Sequence, residues 1–215
     1  MNKAFLITRP DHDLATNYLF FWSQLVIQEA KRKQIRVLDL KKKKANKKNF
    51  ISYLLKHQPE LIFFNGHGSA ERITGYDNET LIQVGEEIKL LSEKIIYARS
   101  CEAGQKLGPA LAKKGANSFI GYQRNFFLCY SQKSISQPLN DKIAKIFLEP
   151  SNLVPISLLK GSTAKQSYQK SQKAMLRNFR YLLSSKASLI QRDAAPYLWI
   201  NRKYQVILGK TSAKI

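Results

Sequence analysis

The sequence predicts an α/β fold, with a mostly parallel central sheet and helices on both faces, in one domain spanning residues 1–215. Two observations predict it. Short runs rich in branched and aromatic residues alternate with longer segments whose apolar residues recur at helical spacing. The apolar runs are continuous rather than alternating, the pattern of strands covered on both faces. At 215 residues and 24.7 kDa the chain is long enough for a sizeable core. No internal repeat or linker interrupts it.

The elements follow in order. Ala4-Phe5-Leu6-Ile7 is a strand stopped by Arg9-Pro10-Asp11. Leu14 to Lys33 is a helix, with Leu14, Tyr18, Phe21 and Leu25 in period and Lys31-Arg32-Lys33 at its negative end. Ile35 to Leu40 is a strand, followed by a basic loop and a helix over Phe50 to His57 before Pro59. Leu61-Ile62-Phe63-Phe64 is a buried strand running into Asn65-Gly66-His67-Gly68. Arg72 to Tyr76 and Thr80 to Val84 flank Asp77-Asn78-Glu79 as a hairpin. A short helix at Glu86 to Leu91 leads to a strand, Ile95 to Ala98, ending in Arg99-Ser100-Cys101. Residues 105–114 form a helix stopped by Gly115, and Ser118-Phe119-Ile120 is a further strand. Residues 123–135 read as an aromatic-rich loop, Asn140 to Leu148 as a helix before Pro150, and Thr163 to Ser184 as a long basic amphipathic helix that either packs its apolar face on the sheet or extends a basic surface patch. A strand near Tyr204 to Leu208 closes the pattern.

Charge and composition narrow the function classes. Lys and Arg number 36 against 15 Asp and Glu, a net charge of +21 and a pI near 10.0. Such a field favours phosphates, anionic surfaces or acidic proteins. Residues 31–48 alone hold ten basic residues and one acid, a solvated loop or a contact for nucleic acid or an acidic regulatory partner. Two cysteines exclude a disulfide scaffold. The three histidines and two cysteines show no zinc-ligand spacing. Asp77 and Glu79 belong to a turn rather than a calcium loop, and the C-terminal Leu-Gly-Lys-Thr-Ser lacks the upstream glycine of a phosphate-binding loop. No apolar stretch is long enough to span a bilayer, and the N-terminal residues do not read as a signal peptide, so the expected compartment is the cytoplasm.

Two segments carry the chemistry. One apolar strand ends in Gly66-His67-Gly68 and another in Ser100-Cys101-Glu102-Ala103-Gly104. In a parallel sheet, residues just past the carboxyl ends of adjacent strands meet at one edge. His67 and Cys101 would then face each other as base and nucleophile. The N–H groups of Gly68 and Cys101 are natural donors to an oxyanion, and a helix beginning near Gln105 would set its positive end by the sulfur. Cys129, with no basic neighbour in sequence, reads as structural.

These segments, "LIFFNGHGS" and "KIIYARSCEAGQKLGPALAKKGANSFIGY", resemble the caspase/haemoglobinase-type cysteine peptidases. The closest likeness is to the bacterial caspase-like CHAT domains, whose C-terminal pattern is similar to "APYLWINRKYQVILG". The resemblance implies a caspase-like three-layer sandwich and endopeptidase action on a protein or peptide substrate, chemistry that requires no metal or cofactor. It implies a His67–Cys101 dyad, with Gly68 and Cys101 N–H groups as oxyanion hole. It further implies that a backbone carbonyl near Thr8 to Pro10 orients His67, with Asp11 or Asp13 as the alternative. Arg99 stands where caspases carry a Gln and metacaspases an Asp that line the S1 pocket. Arg9 falls where caspases keep an S1 arginine. The two arginines together imply binding of an acidic P1 side chain. The other reading of the chain is a silent caspase-like module that binds nucleic acid or an acidic protein through its basic surface.

Overall fold

The computed structural model describes residues 3–215. Six strands form the central sheet: β1 (Ala4–Arg9), β2 (Arg36–Lys41), β3 (Leu61–Asn65), β6 (Ile95–Arg99), β7 (Ser118–Tyr122) and β8 (Gln205–Gly209). Their order is β2-β1-β3-β6-β7-β8, with every pairing parallel except the last, β7 with β8. A separate antiparallel hairpin, β4 (Arg72–Thr74) and β5 (Thr80–Gln83), follows the His67 loop. Its turn takes Asp77 and Asn78 to φ of 52° and 59°, a left-handed geometry that Asp and Asn tolerate better than most residues. This is the α/β sheet of a caspase-like fold.

Residues of both sheet faces are buried, which is why the strands read as continuous apolar runs. Leu6, Ile62, Phe64, Ile96 and Phe119 pack on α2 (Lys47–His57) and α3 (Leu107–Lys113) through Phe50, Leu54, Leu107 and Leu111. Phe5, Ile7, Phe63, Tyr97 and Tyr122 face α1 (Leu14–Arg32) and α4 (Lys142–Leu159) through Val26, Ile27, Val154 and Leu158. Asp13 caps α1: its side chain accepts from Thr16 N–H, and Thr16 returns a bond to the Asp13 backbone.

Three departures from the sequence reading have physical causes. The helix expected to stop before Pro150 continues to Leu159, with Pro150 and Pro155 inside it. Pro150 cannot donate to the Ile146 carbonyl four residues back. Asn178, on α5 (Ala164–Leu182), takes that carbonyl instead through its side-chain N–H, at 2.9 Å. α5 itself packs chiefly on α4, setting Met175 and Leu182 against Ile146 and Phe147, and reaches the sheet mainly near Ala164 and Tyr168. Two helices, α6 (Leu189–Arg192) and α7 (Ala195–Tyr204), occupy a stretch for which no element was read. Among the described residues, no helix is long and apolar enough to cross a membrane.

Candidate active site

β1, β3 and β6 lie side by side, with Asn65 opposite Arg99 in register. The chain beyond each strand therefore emerges at one sheet edge: Pro10 to Asp13, Gly66 to Gly68, and Ser100 with Cys101. Close packing holds these three turns together. A Cβ on Gly66 would meet Thr74 O at 2.8 Å and Pro10 Cγ at 3.2 Å. A Cβ on Gly68 would meet Arg72 O and Ser100 Cβ at 3.0 Å and Cys101 O at 3.2 Å. Glycine at 68 thus lets two backbones approach that any side chain would separate.

His67 and Cys101 line one cavity of about 110 Å³, walled by Ala15, Leu19, Phe126 and Leu128 and flanked by Arg99. His67 is oriented by a carboxylate and not by a backbone carbonyl. Its Nε2 lies 2.5 Å from Asp13 Oδ2, and Nδ1 makes no hydrogen bond among the described residues. Burial works against ionisation of Asp13, but hydrogen bonds from Thr16 N–H, His67 and the Thr16 hydroxyl outweigh it, so its pKa lies below the usual 3.8. Asp11, the other acid weighed for this role, instead pairs with Lys42 Nζ at 3.0 Å.

The Cys101 thiol is pushed up by burial. A backbone hydrogen bond from Phe126 pulls the other way, and the nearby Glu102 carboxylate adds to the rise. The thiol is therefore protonated at neutral pH in this geometry. The N–H groups of Gly68 and Cys101 donate no hydrogen bond among the described residues. Glu102 sits at φ of 57°, a left-handed strain next to the sulfur. The helix expected from Gln105 begins at Leu107, after a run of turns from Cys101 to Lys106.

The two arginines stand differently. Arg9 does not reach the cavity. It lies inside β1, its guanidinium held by both oxygens of Asp39, by Phe20 O and by Gln24, and stacked over Phe20. Its donors are taken by Asp39, Phe20 O and Gln24, so none is free for the S1 role expected of it. Arg99 flanks the cavity but is fully buried. Its Nε donates to Asn65 Oδ1 at 2.8 Å and its Nη1 to Asn152 and Ser151, whereas Nη2 reaches only Leu19 O at 3.5 Å. Burial pushes its pKa down to about 10, so it stays cationic at neutral pH. No carboxylate pairs with it among the described residues.

Sequence reasoning missed two further contributors. Phe126 and Leu128 come from the loop after β7, which Asn201 of α7 clamps. Asn201 accepts from Phe127 N–H at 2.8 Å and donates to Phe127 O at 2.7 Å. The other is His12, whose ring lies 5.9 Å from that of His67. Spacing along the chain suggested no metal ligands, yet His12, Asp13 and His67 bring donor atoms within 4.8 Å of one another. Cys129 lies among apolar neighbours, and burial pushes its thiol to about 11.

No protein-family profile and no curated protein matches the sequence. Solved structures do. The crystal structure of the Arg-specific cysteine proteinase gingipain R (RgpB) aligns with a TM-score of 0.62 at 10% identity, over 99% of this chain and 47% of that one. A complex of Porphyromonas gingivalis RgpB pro- and mature domains aligns with a TM-score of 0.57 at 11% identity, over 98% and 47%. This chain thus spans about half the length of the structures it resembles. At such identities the likeness is one of fold alone, the caspase-like α/β sandwich.

Proposed function

We propose that the chain is a cysteine endopeptidase of the caspase-like class, akin to the bacterial CHAT domains, with its whole length forming one catalytic domain. The observation that carries the reading is the cavity shared by Cys101 and a His67 whose other nitrogen is fixed by Asp13. Asp13 holds the proton on Nε2, which leaves Nδ1 as the basic atom. On substrate binding, Nδ1 takes the proton from Cys101 Sγ and the sulfur attacks the scissile carbonyl carbon. The oxyanion that forms is met by the free N–H groups of Gly68 and Cys101. Imidazolium then protonates the departing amine, leaving an acyl-thioester that water hydrolyses with His67 again as base.

Specificity for acidic P1 residues is part of the proposal. A buried guanidinium that flanks a small cavity and has no carboxylate partner is complementary to a short acidic side chain. Expected substrates are proteins or peptides.

The test is a panel of fluorogenic peptides varied at P1, run with the wild type and with Cys101→Ala. Cleavage after Asp or Glu that vanishes in Cys101→Ala supports the reading. Cleavage after Lys or Arg alone overturns the specificity. The second reading, a silent module for nucleic acid or an acidic partner, draws on a groove of about 540 Å³ lined by Lys41, Lys42, Lys43 and Lys44 with Asp11 and Tyr76. It would gain if no peptide were cut and oligonucleotides were retained in a salt-sensitive way.

A further inference from the structure

His12 is the least comfortable polar side chain near the cavity. Its side chain is 10% exposed, and neither ring nitrogen has a hydrogen-bond partner among the described residues. An imidazole buried in this way ordinarily satisfies both nitrogens. Its Nε2 lies 3.5 Å from Asp13 Oδ2, the same oxygen that holds His67 Nε2 at 2.5 Å. The three donor atoms fall within 4.8 Å of one another. Two imidazoles and a carboxylate suit zinc and neighbouring transition metals rather than magnesium or calcium.

We propose that His12, Asp13 and His67 form a binding site for one divalent transition-metal ion, zinc foremost. Zinc bonds nitrogen and oxygen at about 2.0–2.2 Å, so tetrahedral ligand atoms sit roughly 3.3 Å apart. The His12–Asp13 distance already meets that spacing. The His67–Asp13 contact must open by less than an ångström, which half-exposed side chains allow. The fourth position is left to water. The pairing of β1 with β3 brings His12 and Asp13 to His67 although 54 residues separate Asp13 from His67.

Occupancy has a chemical consequence. A neutral imidazole bound to metal through Nε2 carries its proton on Nδ1. Nδ1 then cannot accept the proton of Cys101, so the ion switches off the base without touching the sulfur. This consequence rests on the peptidase reading, whereas the site does not.

Titration of the full chain with cobalt, followed by absorption, and with zinc, followed by calorimetry, tests the site. One ion per chain is expected. His12→Phe should weaken zinc binding at least about tenfold. Cys101→Ala should leave it unchanged within roughly twofold. Zinc should also raise the melting temperature of the wild type but not of His12→Phe. Asp13→Asn, which keeps the helix cap, provides a second ligand-deficient variant should His12→Phe fail to fold. The proposal is overturned if zinc binds no tighter than about 1 mM, if neither variant weakens it, or if Cys101→Ala abolishes it. Saturating zinc should slow alkylation of Cys101 in the wild type and not in His12→Phe. Zinc bound without any slowing refutes the switch but not the site. A Cys101 that stays inert with and without zinc, and regardless of His67, refutes the peptidase reading instead.

Discussion

Asp13 carries two separable tasks, and replacing it divides them. Its Oδ1 accepts Thr16 N–H at 2.7 Å and caps α1, while its Oδ2 holds His67 Nε2. Serine is as good a helix cap as aspartate but is too short to reach the imidazole; alanine can do neither. Losing the cap costs about 1 kcal/mol. Losing the His67 contact costs little stability, about 0–1 kcal/mol, because both side chains are more than a third exposed. Asp13→Ser should therefore melt close to the wild type. Asp13→Ala should melt about 2–4 °C lower, the equivalent of about 1 kcal/mol at this chain length. The pH dependence follows from the lowered carboxyl pKa. Its stabilising share is present above the usual 3.8 and is lost as pH falls through the lower folded value, so the small gap between wild type and Asp13→Ser should close in acid. Histidine-selective 15N NMR reads the second task. His67 should be a single Nε2–H tautomer in the wild type and a mixture in Asp13→Ser. Equal destabilisation by Ser and Ala would refute the cap assignment, and an unchanged tautomer in Asp13→Ser would refute the role in orienting His67.

Three further outcomes are expected. Glu102→Gln should move the pH midpoint of Cys101 alkylation downward, since removing a nearby negative charge eases thiolate formation; an upward shift would contradict the electrostatics. Asn178→Ala should cost about 1–3 kcal/mol in denaturant unfolding by stranding the Ile146 carbonyl. Pro150→Ala in the same chain should recover much of that loss, because an alanine N–H can reach Ile146 again. Arg99→Ala should destabilise by about 3–5 kcal/mol, through a buried void and the stranded oxygens of Asn65 and Asn152; a neutral effect would mean that the guanidinium is not held as described.

The parallel sheet was legible because strands covered on both faces leave continuous apolar runs such as Leu61 to Phe64. The meeting of the His67 and Cys101 loops followed from one assumption, that β3 and β6 are neighbours, which the register of Asn65 with Arg99 fulfils. What escaped notice depends on partners distant in sequence. Arg9 reads as a free cation until β2 brings Asp39 to it. Pro150 reads as a helix stop until Asn178 arrives from another helix to take the orphan carbonyl. His12 reads as one of three scattered histidines until strand pairing sets it beside His67. α6 was invisible for a different reason. Leu189 and Ile190 are 77% and 70% exposed, so their apolar character marks no buried face.

The central claim is that His67 activates Cys101. Iodoacetamide labelling of the intact chain near neutral pH, with the adduct mapped by mass spectrometry, tests it most directly, with Cys129 as internal reference because burial holds its thiol near 11. The account predicts that Cys101 labels ahead of Cys129 and that His67→Ala slows Cys101 alone. Equal labelling of the two thiols, or a Cys101 rate indifferent to His67→Ala, would contradict it.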